Sequence, residues 1–127
     1  MAKMSLRSYL KEVDSLIDRG ENAEAIAHCK YILKIYPKYI PVYSLLGKAY
    51  LESQRYSEAL DIFKRVLSVY PDDFIAHLSL SIIREGEENL DAAIFHMERA
   101  YEVEPANAGI QNELRRLYGR RDGAIPP

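Results

Sequence analysis

Apolar residues recur three and four positions apart along most of the chain, with polar residues filling the gaps, which is the pattern of amphipathic helices rather than strands. From Leu6 to Arg19 the stripe is Leu6, Tyr9, Leu10, Val13, Leu16 and Ile17. Gly20 interrupts it, and Asn22 is a candidate cap for a second helix striped by Ala25, Ile26, Cys29, Ile32 and Leu33. Pro37 cannot continue a helix interior and pushes Tyr36 toward extended backbone, so that helix ends there. Pro41 suits the first turn of a third helix, whose face is Tyr43, Leu46, Gly47 and Tyr50. A polar turn at Ser53–Arg55 leads to a fourth, faced by Ala59, Leu60, Phe63, Val66 and Leu67. Pro71-Asp72-Asp73 closes it and offers cap oxygens to a fifth, with Phe74, His77, Leu80 and Ile83. Leu90, Ala93, Ile94, Met97 and Ala100 mark a sixth. Asn107 can cap a seventh over residues 108–118, with Ile110, Leu114 and Leu117 apolar.

These helices come in a repeat. Pro37, Pro71 and Pro105 stand 34 residues apart, and so do Ala25, Ala59 and Ala93. A helix–turn–helix unit with this period resembles the tetratricopeptide repeat family. The resemblance covers roughly residues 6–118 and is carried best by the middle unit, with Tyr43, Leu46-Gly47, Tyr50, Ala59, Phe63 and Pro71. The flanking units depart from it. Val13 and Ser81 stand where Gly47 does, Glu12 stands where Leu46 does, and Cys29 and Met97 stand where Phe63 does. The implied division is repeats at residues 6–39, 40–73 and 74–107 and a capping helix at 108–118. A disordered N-terminus is expected at 1–5, and a disordered tail or linker at 119–127. The implied fold is all-α: a right-handed superhelix of antiparallel helix pairs, about seven helices in all. A polar-backed last helix suits the end of such an array.

Composition narrows the function classes. A net charge of -2 is not that of a basic nucleic-acid binder. The one basic cluster, Arg115, Arg116, Arg120 and Arg121, reads as favourable charge at a helix C-terminus. The single cysteine permits no internal disulfide, which fits a reducing compartment. The first residues carry Arg7, Lys11, Glu12 and Asp14 where a secretory leader needs an apolar core, and no run is long enough for a bilayer. A cytoplasmic protein without a membrane or nucleic-acid partner is expected.

No chemistry-bearing motif stands out. There is no phosphate loop and no nucleophile elbow, and His28, His77 and His96 are dispersed on different helices without metal-ligand spacing. Cys29 reads as a small buried hydrophobe and His77 as a packed stand-in for Tyr43. Catalytic, cofactor and metal roles are therefore not expected.

Protein binding is. The resemblance implies a scaffold or adaptor whose first helices line a concave groove. This maps onto Leu10, Ile17, Leu45, Lys48, Leu51, Ile75, Leu78 and Ile82 as the partner-binding groove, with Leu45 and Leu78 the most apt to be hidden between helices. Asp14, Asp18, Glu52, Glu85 and Arg116 stand at its margin. The apolar character suits a peptide or an amphipathic helix. Relatives that bind acidic chaperone tails use a clamp of Lys, Asn and Arg. The matching places here hold Leu10, Asp14, Leu45, Ile75 and Ser79, so no such tail is expected to bind. Two alternatives stay open: a self-associating homodimer, and the regulatory part of a larger enzyme chain.

Overall fold

The structure is a computed structural model and describes residues 5–123 of the 127. Seven α-helices and no strand are present among the described residues: α1 (Leu6–Asp18), α2 (Asn22–Ile35), α3 (Ile40–Glu52), α4 (Tyr56–Val69), α5 (Phe74–Gly86), α6 (Leu90–Val103) and α7 (Ala108–Asp122). The chain divides inside α4 into two compact units, one up to Ile62 and one from Phe63 on.

The turns repeat with the sequence. Gly20, Gln54 and Glu88, each 34 residues from the next, have φ of 80°, 61° and 61°. The same two backbone hydrogen bonds close the helix at each. Gln54 N–H reaches the Leu51 carbonyl and Arg55 N–H the Tyr50 carbonyl, just as Glu88 and Asn89 reach Glu85 and Arg84. This double closure around a left-handed residue satisfies orphan carbonyls at the helix end. Only the first of the three positions holds the glycine that adopts it without strain.

The joints between repeats are equally regular. The Tyr43 hydroxyl donates to the Pro37 carbonyl at 2.8 Å. His77 Nε2 meets the Pro71 carbonyl at 2.7 Å, and Gln111 Nε2 donates to the Pro105 carbonyl at 2.9 Å. A phenol, an imidazole and an amide thus do one job at one register position, each tying the first turn of a helix back to the proline turn before it.

Two caps follow the sequence, at Asp73 and Asn107, and a third, Asn89, was not expected. Asp73 accepts from Ala76 N–H at 2.9 Å, Asn107 from Ile110 N–H at 3.2 Å, and Asn89 from Ala92 N–H at 3.2 Å. Asn22 does not cap. It is the first residue inside α2, Glu21 holds the cap position, and the Asn22 Oδ1 is buried without a hydrogen-bond partner.

In the first unit α1 packs on α2, and α3 packs on both. Val13, Ile17, Ala25, Cys29, Ile32, Val42 and Leu46 are buried there. Burial pushes the Cys29 thiol up to about 12, so it stays protonated and serves as packing. In the second unit α6 packs on α5 and α7. Its core runs through Ala93, Ile94, Met97, Ala100, Ile110, Leu114 and Leu117, with Phe74, Leu78, Leu90 and Tyr118 packed against it. Ser81, at the place of Gly47, is buried and donates its hydroxyl to the Ala93 carbonyl at 2.8 Å. The small position therefore tolerates a hydroxyl because a backbone acceptor lies against it.

The last helix is longer than its pattern predicts. A tail is expected from Gly119, but α7 continues through Asp122 and stops at Gly123, whose φ is 69°. Arg120 and Arg121 lie in the last turn, where cations favour the helix dipole. At the N-terminus, Ser5 is not part of a disordered lead-in: it caps α1, accepting from Ser8 N–H at 3.1 Å. Residues 1–4 and 124–127, where the rest of the two disordered ends is expected, lie outside the described residues.

Candidate functional site

The first helix of each repeat carries the candidate positions. In the first unit, α1 and α3 lie side by side, and an ion cluster joins them. Lys48 Nζ donates to Asp14 Oδ1 at 2.8 Å and lies 3.6 Å from Asp18 Oδ1. Asp14 and Lys48 are 34 residues apart, so equivalent positions of successive repeats face each other across this seam. The hydrogen bond to Asp14 and the field of both aspartates raise the Lys48 pKa, keeping it charged.

Around this cluster, Leu10, Leu45 and Leu51 are half-buried. Ile17 is not a surface residue at all. It is 4 % exposed and belongs to the core, which corrects its assignment to the groove. The cause is helical phase: Ile17 lies four residues after Val13, on the stripe that α2 and α3 cover.

In the second unit the counterpart seam joins α5 to α7 with the charges exchanged. Glu85 is the central group. Arg116 holds both of its carboxylate oxygens, at 2.6 Å and 2.7 Å, and Arg120 adds a second guanidinium at 2.5 Å. Arg116 also holds Glu113 at 2.7 Å, and Arg120 holds Glu88 at 2.8 Å. The Arg116 and Arg120 hydrogen bonds keep the Glu85 carboxyl at about 2, far below the usual carboxylate range. Arg121 pairs with Asp122 at 2.9 Å. Three of the four clustered arginines thus sit in ion pairs within the fold.

On α5 the candidate residues separate. Ile75 and Ile82 are 45 % and 54 % exposed, one face of the helix apart by two turns. Leu78 is half-buried against the α6–α7 core, and Ser79 is buried. The second unit therefore presents two isoleucines on one face of α5, the later of them one turn before Glu85.

Two side-chain pairs were not expected from the sequence. His77 Nδ1 and His96 Nδ1 are 3.1 Å apart, and the Tyr9 hydroxyl meets His28 Nδ1 at 2.6 Å. Both pairs join residues 19 apart across one helix pair, so the spacing is legible once the turns are known. With its Nε2–H spent on the Pro71 carbonyl, His77 presents an Nδ1 lone pair, and His96 supplies the proton in its neutral Nδ1–H form. Burial, then the facing His77 and the nearby Arg84, hold His96 down at about 4. No group of three or more His, Cys, Asp or Glu side chains that could hold a metal ion occurs among the described residues. No helix of the described residues is long and apolar enough to cross a membrane.

Comparison with known proteins follows the same lines. A family model described as "Tetratricopeptide repeat" matches residues 16–81, more than half of the chain. Superkiller protein 3 of Schizosaccharomyces pombe is 29% identical over 97 residues, 76% of this chain and 7% of that protein. The "Protein CTR9 homolog" of Arabidopsis thaliana is 33% identical over 95 residues, 72% of this chain and 8% of that protein. The chain thus spans less than a tenth of the length of either of these curated relatives. Among solved structures, MamA (41-end) of Desulfovibrio magneticus RS-1 superposes with a TM-score of 0.79 at 22% identity, over 93% of this chain and 67% of that one. The first TPR domain of human RPAP3 gives 0.81 at 19% identity, over 91% of each chain. The first TPR of Spaghetti (RPAP3), bound to the HSP90 peptide SRMEEVD, gives 0.80 at 20% identity, over 88% of this chain and 89% of that one. At these identities the likeness is one of fold.

Proposed function

Because the chain belongs to the tetratricopeptide repeat family, we propose that it is a non-catalytic protein-interaction module that receives an apolar segment of a partner on the exposed strips of its first helices. Each unit offers its own strip. Leu10, Leu45 and Leu51 border the Lys48 cluster in one, and Ile75 and Ile82 share a face of α5 in the other, with Ile82 one turn before Glu85. The exposure of Ile75 and Ile82 carries the reading. Two β-branched aliphatics two turns apart on one helix face expose apolar surface to water, and that surface is available to a partner. A partner helix with aliphatics at i and i+7 fits that spacing.

The chemistry of the strip argues against an acidic tail. The solved Spaghetti domain binds SRMEEVD. In this chain the clamp places hold Leu10, Asp14, Leu45, Ile75 and Ser79. The cations nearby are already taken: Lys48 by two aspartates, Arg116 by two glutamates. Calorimetric titration with SRMEEVD is expected to give no micromolar complex, and a micromolar complex would contradict the apolar-strip reading. The direct test is Ile82→Asp, which places a charge on the strip away from the core. Affinity capture from extract of the source organism should lose its partners while thermal stability stays close to that of the unmodified chain.

A further inference from the structure

Between α6 and α7 lies an open cleft of about 690 Å³, lined by Glu98, Tyr101 and Glu102 on one helix and Gln111, Leu114, Arg115 and Tyr118 on the other. The repeat register says what shape would fill it. On α5, His77 and Ser81 turn toward α6, where one meets His96 and the other donates to the Ala93 carbonyl. A step of 34 residues takes them to Gln111 and Arg115, and takes Leu80 and Arg84 to Leu114 and Tyr118. All four of these α7 residues line the cleft. So α7 turns toward the cleft the face that α5 turns toward α6, and the cleft occupies the place of a helix partner for α7.

Charge decides what kind of helix fits. Ser81 is small and lets α6 reach backbone contact, whereas Arg115 is long and exposed and bonds within its own helix to Asn112 at 3.1 Å. An apolar helix seated there would cover the guanidinium without a counter-charge, which is costly, while a carboxylate at that point would pair with it. The opposite wall has the other sign. Glu98 accepts the Tyr118 hydroxyl at 2.6 Å and Glu102 lies 3.3 Å from Arg99 of its own helix, and both remain exposed.

We propose that this cleft docks one amphipathic helix of a partner protein, with an acidic residue opposite Arg115, basic residues along the flank facing Glu98 and Glu102, and its apolar stripe on the rings of Tyr101 and Tyr118, above the buried Leu114. This is a second surface, on a different helix pair from the Ile75–Ile82 strip. The test uses the full chain and two side-chain-stapled peptides, each shown to be helical by circular dichroism. The first copies α6 with Ala93→Asp and lysines on the flank. The second exchanges these charges, lysine for aspartate and glutamate for lysine. Amide NMR titration should move Tyr101, Leu114 and Tyr118 with the first peptide, and bind the second at least tenfold more weakly. Arg115→Glu should reverse the ratio, and Ile82→Asp should leave it unchanged. Equal binding of the two peptides, a ratio insensitive to Arg115→Glu, or shifts confined to α5 would each overturn the proposal. The Ile82→Asp capture experiment reads the other surface independently.

Discussion

The two units use the same seam with opposite electrostatics. Between α1 and α3 a single lysine lies between two aspartates. Between α5 and α7 a single glutamate lies between two arginines. The difference lies in geometry and burial rather than in sign. Lys48 is a point charge with one close contact, while Glu85 takes a two-pronged guanidinium and is the less exposed of the two, at 19% against 37%. Planar, bidentate pairing with a sheltered carboxylate holds its shape better than a flexible ammonium in water. The second seam is therefore a structural tie and the first a weak surface contact. The joints teach the same lesson, since Tyr43, His77 and Gln111 differ in every chemical respect and make the same hydrogen bond to the proline turn.

The comparison can be broken most forcefully in the core. Ala93→Leu inserts three heavy atoms where α5 and α6 approach through the Ser81 hydroxyl, and should cost ~1–3 kcal/mol in thermal or urea unfolding. Unchanged stability would mean that the two helices do not meet at this point.

Next comes the seam itself. Glu85→Gln removes the counter-charge of two arginines and should cost about 1–2 kcal/mol after allowance for the arginines' exposure, against about 0.5 kcal/mol for Lys48→Met. The depressed Glu85 carboxyl gives the same result by pH. Its contribution is complete above the ordinary glutamate range near 4.5 and is lost as pH falls toward about 2. Equal losses for the two variants would erase the distinction between the seams.

The histidine pair gives a further, pH-dependent effect, no larger than that of the Glu85 seam. His96 has its pKa lowered by burial, so the unfolded chain binds its proton first on acidification. Stability contributed by the neutral ring is complete above 6.5 and is lost as pH falls to about 4. A shift of that size corresponds to about 3 kcal/mol, and because the ring is only half-buried and partly screened a loss of about 1 kcal/mol is expected across that window. His96→Ile, which places there the side chain found at Ile62, should flatten the slope. A slope unchanged by this variant would assign it to other groups.

Much of the fold was legible because the 34-residue period carries its own phase. Once Pro37, Pro71 and Pro105 are aligned, the helix faces, the buried Ala25, Ala59 and Ala93, and the stand-in roles of Cys29, Met97 and His77 follow. The failures are local. Asn22 has a capping side chain, but the turn after Gly20 places the helix start one residue earlier. The Gly119 signal was overridden by Arg120, whose pairing with Glu85 and Glu88 rewards another helical turn. The candidate strip was harder to read than the core. Ile17 and Ile82 look alike in sequence, but α2 and α3 cover the first and no helix of its own unit covers the second. Periodicity reports the phase of a residue, and only packing reports what covers it.

On the function proposed above, the α5 isoleucines serve a partner rather than the fold, and Ile82→Asp separates the two roles. Melting temperature and partner capture should be read on the same preparation. Helicity and melting temperature should stay nearly unchanged while partner capture is abolished. An unfolded or strongly destabilised variant would make Ile82 a core residue, and capture undiminished at an unchanged melting temperature would place the binding surface elsewhere. Either result would rule out the α5 strip as the binding surface.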